Sequence, residues 1–168
     1  MDFKGPYCYT LFLSGEKDKR VLFKKDSNGH ETNFKKPVTK SKTPKIYILK
    51  AKEKIVYVGY ASQSIGTRLG QGIRATGKNG YHGNKWKQVS ELELLVFIFD
   101  QELKGNKHDD DKPHIALAEA VEAELVFKVR KETGKWPEFQ NEIHFNNVRL
   151  EKAKEIAREI YGEVSEER

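Results

Sequence analysis

The chain is poor in the residues that carry most metal and redox chemistry, with one cysteine, one methionine and five histidines in 168 residues. A single thiol, Cys8, excludes an internal disulfide and any zinc site built on several cysteines, and it suits a reducing cytoplasm. No apolar run approaches the length that spans a bilayer, and the opening MDFKGPYCYT lacks the basic-then-apolar order of a secretion signal. The expectation is a cytoplasmic protein with no membrane partner. No internal repeat is visible, so the length fits a single domain with an appendage, large enough to bury a core without staples.

Acid is the other shortage. Lys and Arg total 31 against 25 Asp and Glu, giving a net charge of +6. Residues 16–54 alone hold 13 Lys/Arg and 5 Asp/Glu, a surplus of eight, so the remainder is slightly acidic. Concentrated positive charge is commonly used to neutralise phosphates, although lysine-rich surfaces also serve solubility.

What is present reads as alternating β and α segments. YCYTLFL (7–13) and RVLFK (20–24) are rich in β-formers and are separated by turn-like stretches. KKPVTKSKTP (35–44) reads as a basic, extended connector, so residues 1–44 are expected to form an N-terminal β arm packed on the main domain. KIYIL and IVYVG, joined by KAKEK, are the best hairpin candidate. Period-2 alternation puts Tyr47 with Leu49 on one side of the first strand and Ile55 with Tyr57 on one side of the second. Ser64 can cap a helix carrying Ile65, Leu69 and Ile73 at four-residue spacing. ELELLVFIF (91–99) is a third strand, apolar on both faces at its end and therefore central. Pro113 opens a long helix over about 113–132 that Gly134 and Pro137 stop. A last helix, capped by Asn147, runs through Tyr161 and ends at Gly162, leaving a polar tail at 163–168.

The order of certain residues along this framework resembles the GIY-YIG nuclease superfamily. The family's hallmark is a GIY strand, a YIG strand about ten residues later, an arginine on the next helix, a glutamate on a later helix and then an asparagine. The counterparts here are KIY (45–47), YVG (57–59), Arg68 in IGTRLGQG, Glu122 in EAVEAELVFKV and Asn141 in PEFQNEIHF. The resemblance implies an α+β domain over 45–162, a three-stranded sheet flanked by helices. It also implies a divalent-metal-dependent endonuclease that hydrolyses the phosphodiester bonds of DNA with Mg²⁺ or Mn²⁺.

Each residue has a physical reason to serve there. Glu122 is the metal ligand by position, and one carboxylate suffices for a Mg²⁺ that keeps its waters. Glu119, on nearly the same helix face, competes with it, whereas Glu124 points elsewhere. Arg68 offers a planar, permanently charged fork for the scissile phosphate. Tyr47 matches the residue that takes a proton from the attacking water, a role that needs its pKa brought down from about 10. Tyr57 orients water or phosphate, Gly59 allows close backbone approach, and Asn141 positions the edge of the site. Tyrosines are also ordinary strand residues, and most helix arginines are simply exposed.

Two departures stand out. Lys45 occupies the place of the motif's glycine, and Gly72 stands four residues after Arg68, where many family members have histidine or tyrosine. His82, in GYHGNKW, is a candidate proton shuttle in its stead. Arg74, Lys85 and Lys87 are candidate DNA contacts, and Trp86 between the two lysines suits either base stacking or, more commonly, core packing. Within this expectation lies a narrower one, a type II restriction-like enzyme of a restriction system that acts as a homodimer. The alternative is a nucleic-acid-binding protein with an inactive nuclease-like site.

Overall fold

Pairing along the sequence's β-rich runs gives five strands: β1 (Phe3–Ser14), β2 (Val21–Lys25), β3 (Lys45–Ala51), β4 (Lys54–Ala61) and β5 (Glu91–Phe99). In the computed structural model, which describes residues 2–16, 20–76, 85–105, 108–140, 143 and 149–166, they form one sheet in the order β2-β1-β5-β3-β4. Every neighbouring pair is antiparallel. The helices are α1 (Ile65–Arg74), α2 (Lys112–Thr133) and α3 (Leu150–Glu166). The fold class is α+β.

The expected three-stranded sheet with a separate N-terminal arm is corrected here. β1 pairs with β5 from Phe3↔Phe99 to Phe12↔Glu91, so the N-terminal strands extend the main sheet. β5 is central as its two-sided apolar character requires, lying between β1 and β3. Beyond β1, the outer edge of β2 is met at its C-terminal end by its own return segment. Lys25 bridges Glu31, and the Thr32 N–H donates to the Lys24 carbonyl at 3.0 Å.

The KAKEK connection is shorter than the five residues expected. Both strands run on into it and leave a two-residue turn, Lys52–Glu53, with φ of 47° and 64°. Positive φ at both positions suits the right-handed twist of a tight hairpin, here without glycine. Register also departs from simple alternation. Leu49 pairs with Tyr57 and Lys50 with Ile55, so Val56 is an extra residue in β4. This bulge turns Ile55 to the opposite side of the sheet from Tyr57.

Each sheet face carries its own core. Ile46, Ile48, Val58, Leu95, Phe97 and Phe99 pack under α2 and α3. Tyr47, Leu49, Tyr57, Leu94, Val96 and Ile98 pack on the other face with Ile65, Leu69 and Ile73 of α1, and with Val38 and Trp86. Each of the three α1 aliphatics contributes about 2 kcal/mol by leaving water. Trp86 is fully buried and belongs to the core, not to a stacking surface. Pro113 sits in the first turn of α2, and Gly134 ends that helix in the left-handed conformation with its N–H on the Arg130 carbonyl. Ser64 occupies the N-cap position of α1 without a side-chain cap bond. The last helix continues through Gly162 to Glu166, and its expected cap, Asn147, lies outside the described residues.

Candidate active site

Two faces of a sheet keep their side chains apart except where the sheet ends, and β4 is an edge strand. Tyr47 is fully buried on the α1 side and pairs in register with Gly59. A Cβ built on Gly59 would lie 2.5 Å from Tyr47 Cζ and 2.6 Å from its Oη. The glycine therefore lets the phenol lie over β4, and what approaches it closely is a side chain, within a strand that continues to Ala61. Tyr57, two residues earlier, sets its ring 5.8 Å from that of Tyr47 at a 36° tilt.

Glu122 comes from the other face. It sits in mid-α2, 7% exposed, flanked by buried Val121 and Ala123. The Tyr60 backbone N–H, which points outward from β4, donates to its carboxylate. The same edge is sealed further along by the chain after α2. The Phe139 N–H donates to the Val56 carbonyl at 2.9 Å. The Gln140 amide then accepts from the Val58 N–H and donates to the Val58 carbonyl, each at 3.1 Å. Three successive outward positions of β4 are thus met by a backbone, an amide side chain and a carboxylate.

Electrostatics tie the cluster together. Burial pushes the Glu122 carboxyl up to about 8, against the pull of the Arg68 guanidinium and with further push from Glu119. Burial likewise raises the Tyr47 phenol well above its ordinary value; Tyr57 and Glu122 add to this and Arg68 opposes it. The Tyr47 hydroxyl is fully buried, and the neighbouring Tyr57 hydroxyl, by its hydrogen bond as well as its charge, favours the neutral phenol. Tyr60, whose ring packs on the helix-pair side, has its hydroxyl raised to about 12 by burial and by Glu119, Glu122 and Asp111, with Ser62 opposing. Tyr47 and Tyr57 are in ring contact, and Arg68 and Glu122 each influence the Tyr47 phenol electrostatically, although Glu122 belongs to the helix on the opposite face of the sheet.

The remaining candidates are placed differently. His82 and Asn141 lie outside the described residues. Arg74, exposed at the end of α1, folds its guanidinium back over Gly70, where a Cβ would lie 3.0 Å from it. Lys85 is exposed, while the half-buried Lys87 donates to the Ala75 carbonyl at 2.8 Å and so straps its turn to the end of α1. Gly72 is buried within α1. Lys45, the departure from the motif's glycine, points away from any substrate. It is fully buried, and its ammonium donates to the carbonyls of Lys40 and Thr43 at 2.6 Å each and of Gln63 at 3.3 Å. Burial first, then the charge of Lys40, lowers it to about 8.

Sequence reasoning missed Tyr60 and Gln140. Tyr60 had a usable signal, since period-2 alternation puts it opposite Tyr57 on the face of the later glutamate helix. Gln140 had none, because its partner Val58 is 82 residues away.

The donor set suits a hard cation held by few protein ligands. Among the described residues no three His, Cys, Asp or Glu side chains group to hold a metal ion. The buried Glu122 carboxylate matches the sparser demand of Mg²⁺, which retains waters and uses one or two carboxylates. Among the described residues no helix is long and apolar enough to cross a membrane. No protein-family model, curated protein or solved structure matches the chain.

Proposed function

We propose that the protein is a GIY-YIG-type endonuclease that hydrolyses phosphodiester bonds in DNA with Mg²⁺ or Mn²⁺. The carrying observation is Glu122, a carboxyl only 7% exposed in mid-α2 that takes the Tyr60 N–H at the edge strand β4 and feels the Arg68 guanidinium. Burial keeps the Glu122 carboxyl protonated near neutral pH, and an arriving cation that offsets this burial would release the proton and gain a ligand. Bound there, the cation supplies Lewis-acid charge for the scissile phosphate and its leaving oxygen.

The chain's own residues do the rest. Arg68 holds the non-bridging oxygens of the phosphate through paired N–H donors, and its fixed position on α1 pre-pays the cost of orientation. Tyr47 enters as a neutral phenol, since its surroundings hold the proton on Oη. In that state Oη orients the attacking water by accepting a hydrogen bond. It takes the water's proton only once added positive charge offsets the effect of burial. Tyr57 stands beside it as a second hydroxyl for water or phosphate. Lys45 in its carbonyl cage leaves the place of the motif's glycine harmless to this scheme. A type II restriction-like activity, with a homodimer cutting both strands at one short sequence, is the specific form proposed.

Incubation of supercoiled plasmid with the protein and Mg²⁺ or Mn²⁺ tests the reading. The wild type is expected to linearise DNA at discrete positions, and Glu122→Ala to lose at least 100-fold in rate. Cutting that survives the substitution removes Glu122 from its role. Random nicking counts against a restriction-type enzyme, and salt-sensitive binding without cleavage in either metal favours the inactive binding protein.

A further inference from the structure

The two tryptophans have opposite surroundings. Trp86 is fully buried, whereas Trp136, just beyond the end of α2, is 43% exposed. Its indole is nonetheless held in place. The Arg130 guanidinium carbon lies 4.5 Å from the ring centroid, and the Phe127 ring packs at 5.6 Å. Positive charge surrounds it in the chain. Residues 128–136 contain Lys128, Arg130, Lys131 and Lys135 against the single acid Glu132, which Lys128 engages at 3.3 Å. The segment that carries Trp136 is tied to β4 three residues later, where the Phe139 N–H donates to the Val56 carbonyl.

This arrangement lies on the line of the candidate site. Eight residues of α2 separate Glu122 from Arg130, about 12 Å at helical rise. That is roughly three to four base steps of a duplex. An indole steadied by a guanidinium, left open to water and set among unpaired-sign charge, has the make-up of a nucleic-acid stacking platform. An indole needed only to close the helix end would gain more by burial, as Trp86 does.

We propose that this patch binds the nucleic-acid strand that leaves the Glu122 site. A base or sugar packs on the open part of Trp136, and Arg130, Lys131 and Lys135 neutralise the adjoining phosphates. The inference rests on the nuclease reading for the direction of the strand, not for the chemistry of the patch.

The full-length chain, in low salt with a chelator to prevent cutting, is titrated with a 12-nucleotide single strand and, separately, with a 12-base-pair duplex. Binding is read by anisotropy of the labelled DNA and by tryptophan emission. Expected is quenching of tryptophan emission in the wild type that is absent in Trp136→Phe, since Trp86 is fully buried. Trp136→Ala is expected to weaken binding roughly fivefold or more. Lys131→Ala and Lys135→Ala are each expected to make the salt dependence shallower by about one unit. Stronger quenching by the single strand identifies a stacked base, and stronger quenching by the duplex a packed sugar; either supports the patch. DNA that binds without altering Trp136 emission, and equally well to Trp136→Ala, overturns the patch and leaves the nuclease reading standing. Absence of binding by either DNA at low salt overturns both.

Discussion

Lys45 and Glu122 are both buried charges-in-waiting, and their environments bring both to a pKa of about 8 from opposite directions. The likeness ends there. Lys45 has three carbonyls arranged around its ammonium, and these tie the connector at residues 40–43 to Gln63, just before α1. Glu122 has a backbone N–H and a guanidinium in its favour, but burial and a second carboxylate against it. Depth is common to both; what differs is whether the surroundings already answer the charge. A caged ion holds a fold together, whereas an ion left short of partners is ready for something that arrives from solution.

Stability is where the pair separates most. Lys45→Met leaves three carbonyls without a donor and is expected to cost about 3 kcal/mol in urea unfolding. Glu122→Gln removes a charge that burial opposes and is expected to raise stability at pH 8 by about 1 kcal/mol, while abolishing cleavage. If both substitutions destabilise alike, the contrast fails. Their pH dependence sharpens it. The folded chain holds the Glu122 proton up to about 8, so in divalent-free buffer this group lowers stability as pH climbs from about 4.5 to about 8. Lys45 loses its proton earlier in the folded chain than in the unfolded one, so its contribution improves as pH rises from about 8 to about 10.5. Urea midpoints at pH 5, 8 and 10 should show the lower window flattened in Glu122→Gln and the upper rise missing in Lys45→Met.

A smaller effect comes from the close approach of Tyr47 to β4. Gly59→Ala sets a methyl against the Tyr47 ring and is expected to cost about 2 kcal/mol as the phenol is displaced. Cleavage should fall further than stability alone explains, which paired unfolding and rate measurements will show. Smallest is Gln140→Ala, which strips two hydrogen bonds from an edge and should cost about 1 kcal/mol. A Gln140→Ala chain with unchanged unfolding midpoint would mean that water replaces the amide at no loss.

The parts legible in the sequence were those with local cause. The β3–β4 hairpin, the two-sided apolar β5, and α2 between Pro113 and Gly134 follow from periodicity and capping within a few residues. The order Tyr47, Tyr57, Arg68, Glu122 was legible as a pattern, but its placement in space depends on Gly59 and on β4 lying at the edge. That β1 and β2 join the sheet was hidden, because β1 pairs with a strand some 80 residues later and nothing local encodes the partner. The Val56 bulge was hidden for the same reason, since the extra residue shows only once two strands are in register. The burial of Lys45 was hidden too: two of its carbonyls lie within five residues, but the third, Gln63, is 18 residues away, and a lysine is seldom fully buried.

The two margins of the sheet are unequally closed: Phe139, Gln140 and Glu122 meet successive outward positions of β4, whereas among the described residues the return segment meets β2 only at Lys24 and Lys25. Val21 and Phe23, about half exposed, leave the start of β2 as the margin where a strand from another molecule would find room to pair. Self-association along the backbone would therefore respond to a charge or proline placed at Val21–Phe23 and be indifferent to changes along β4.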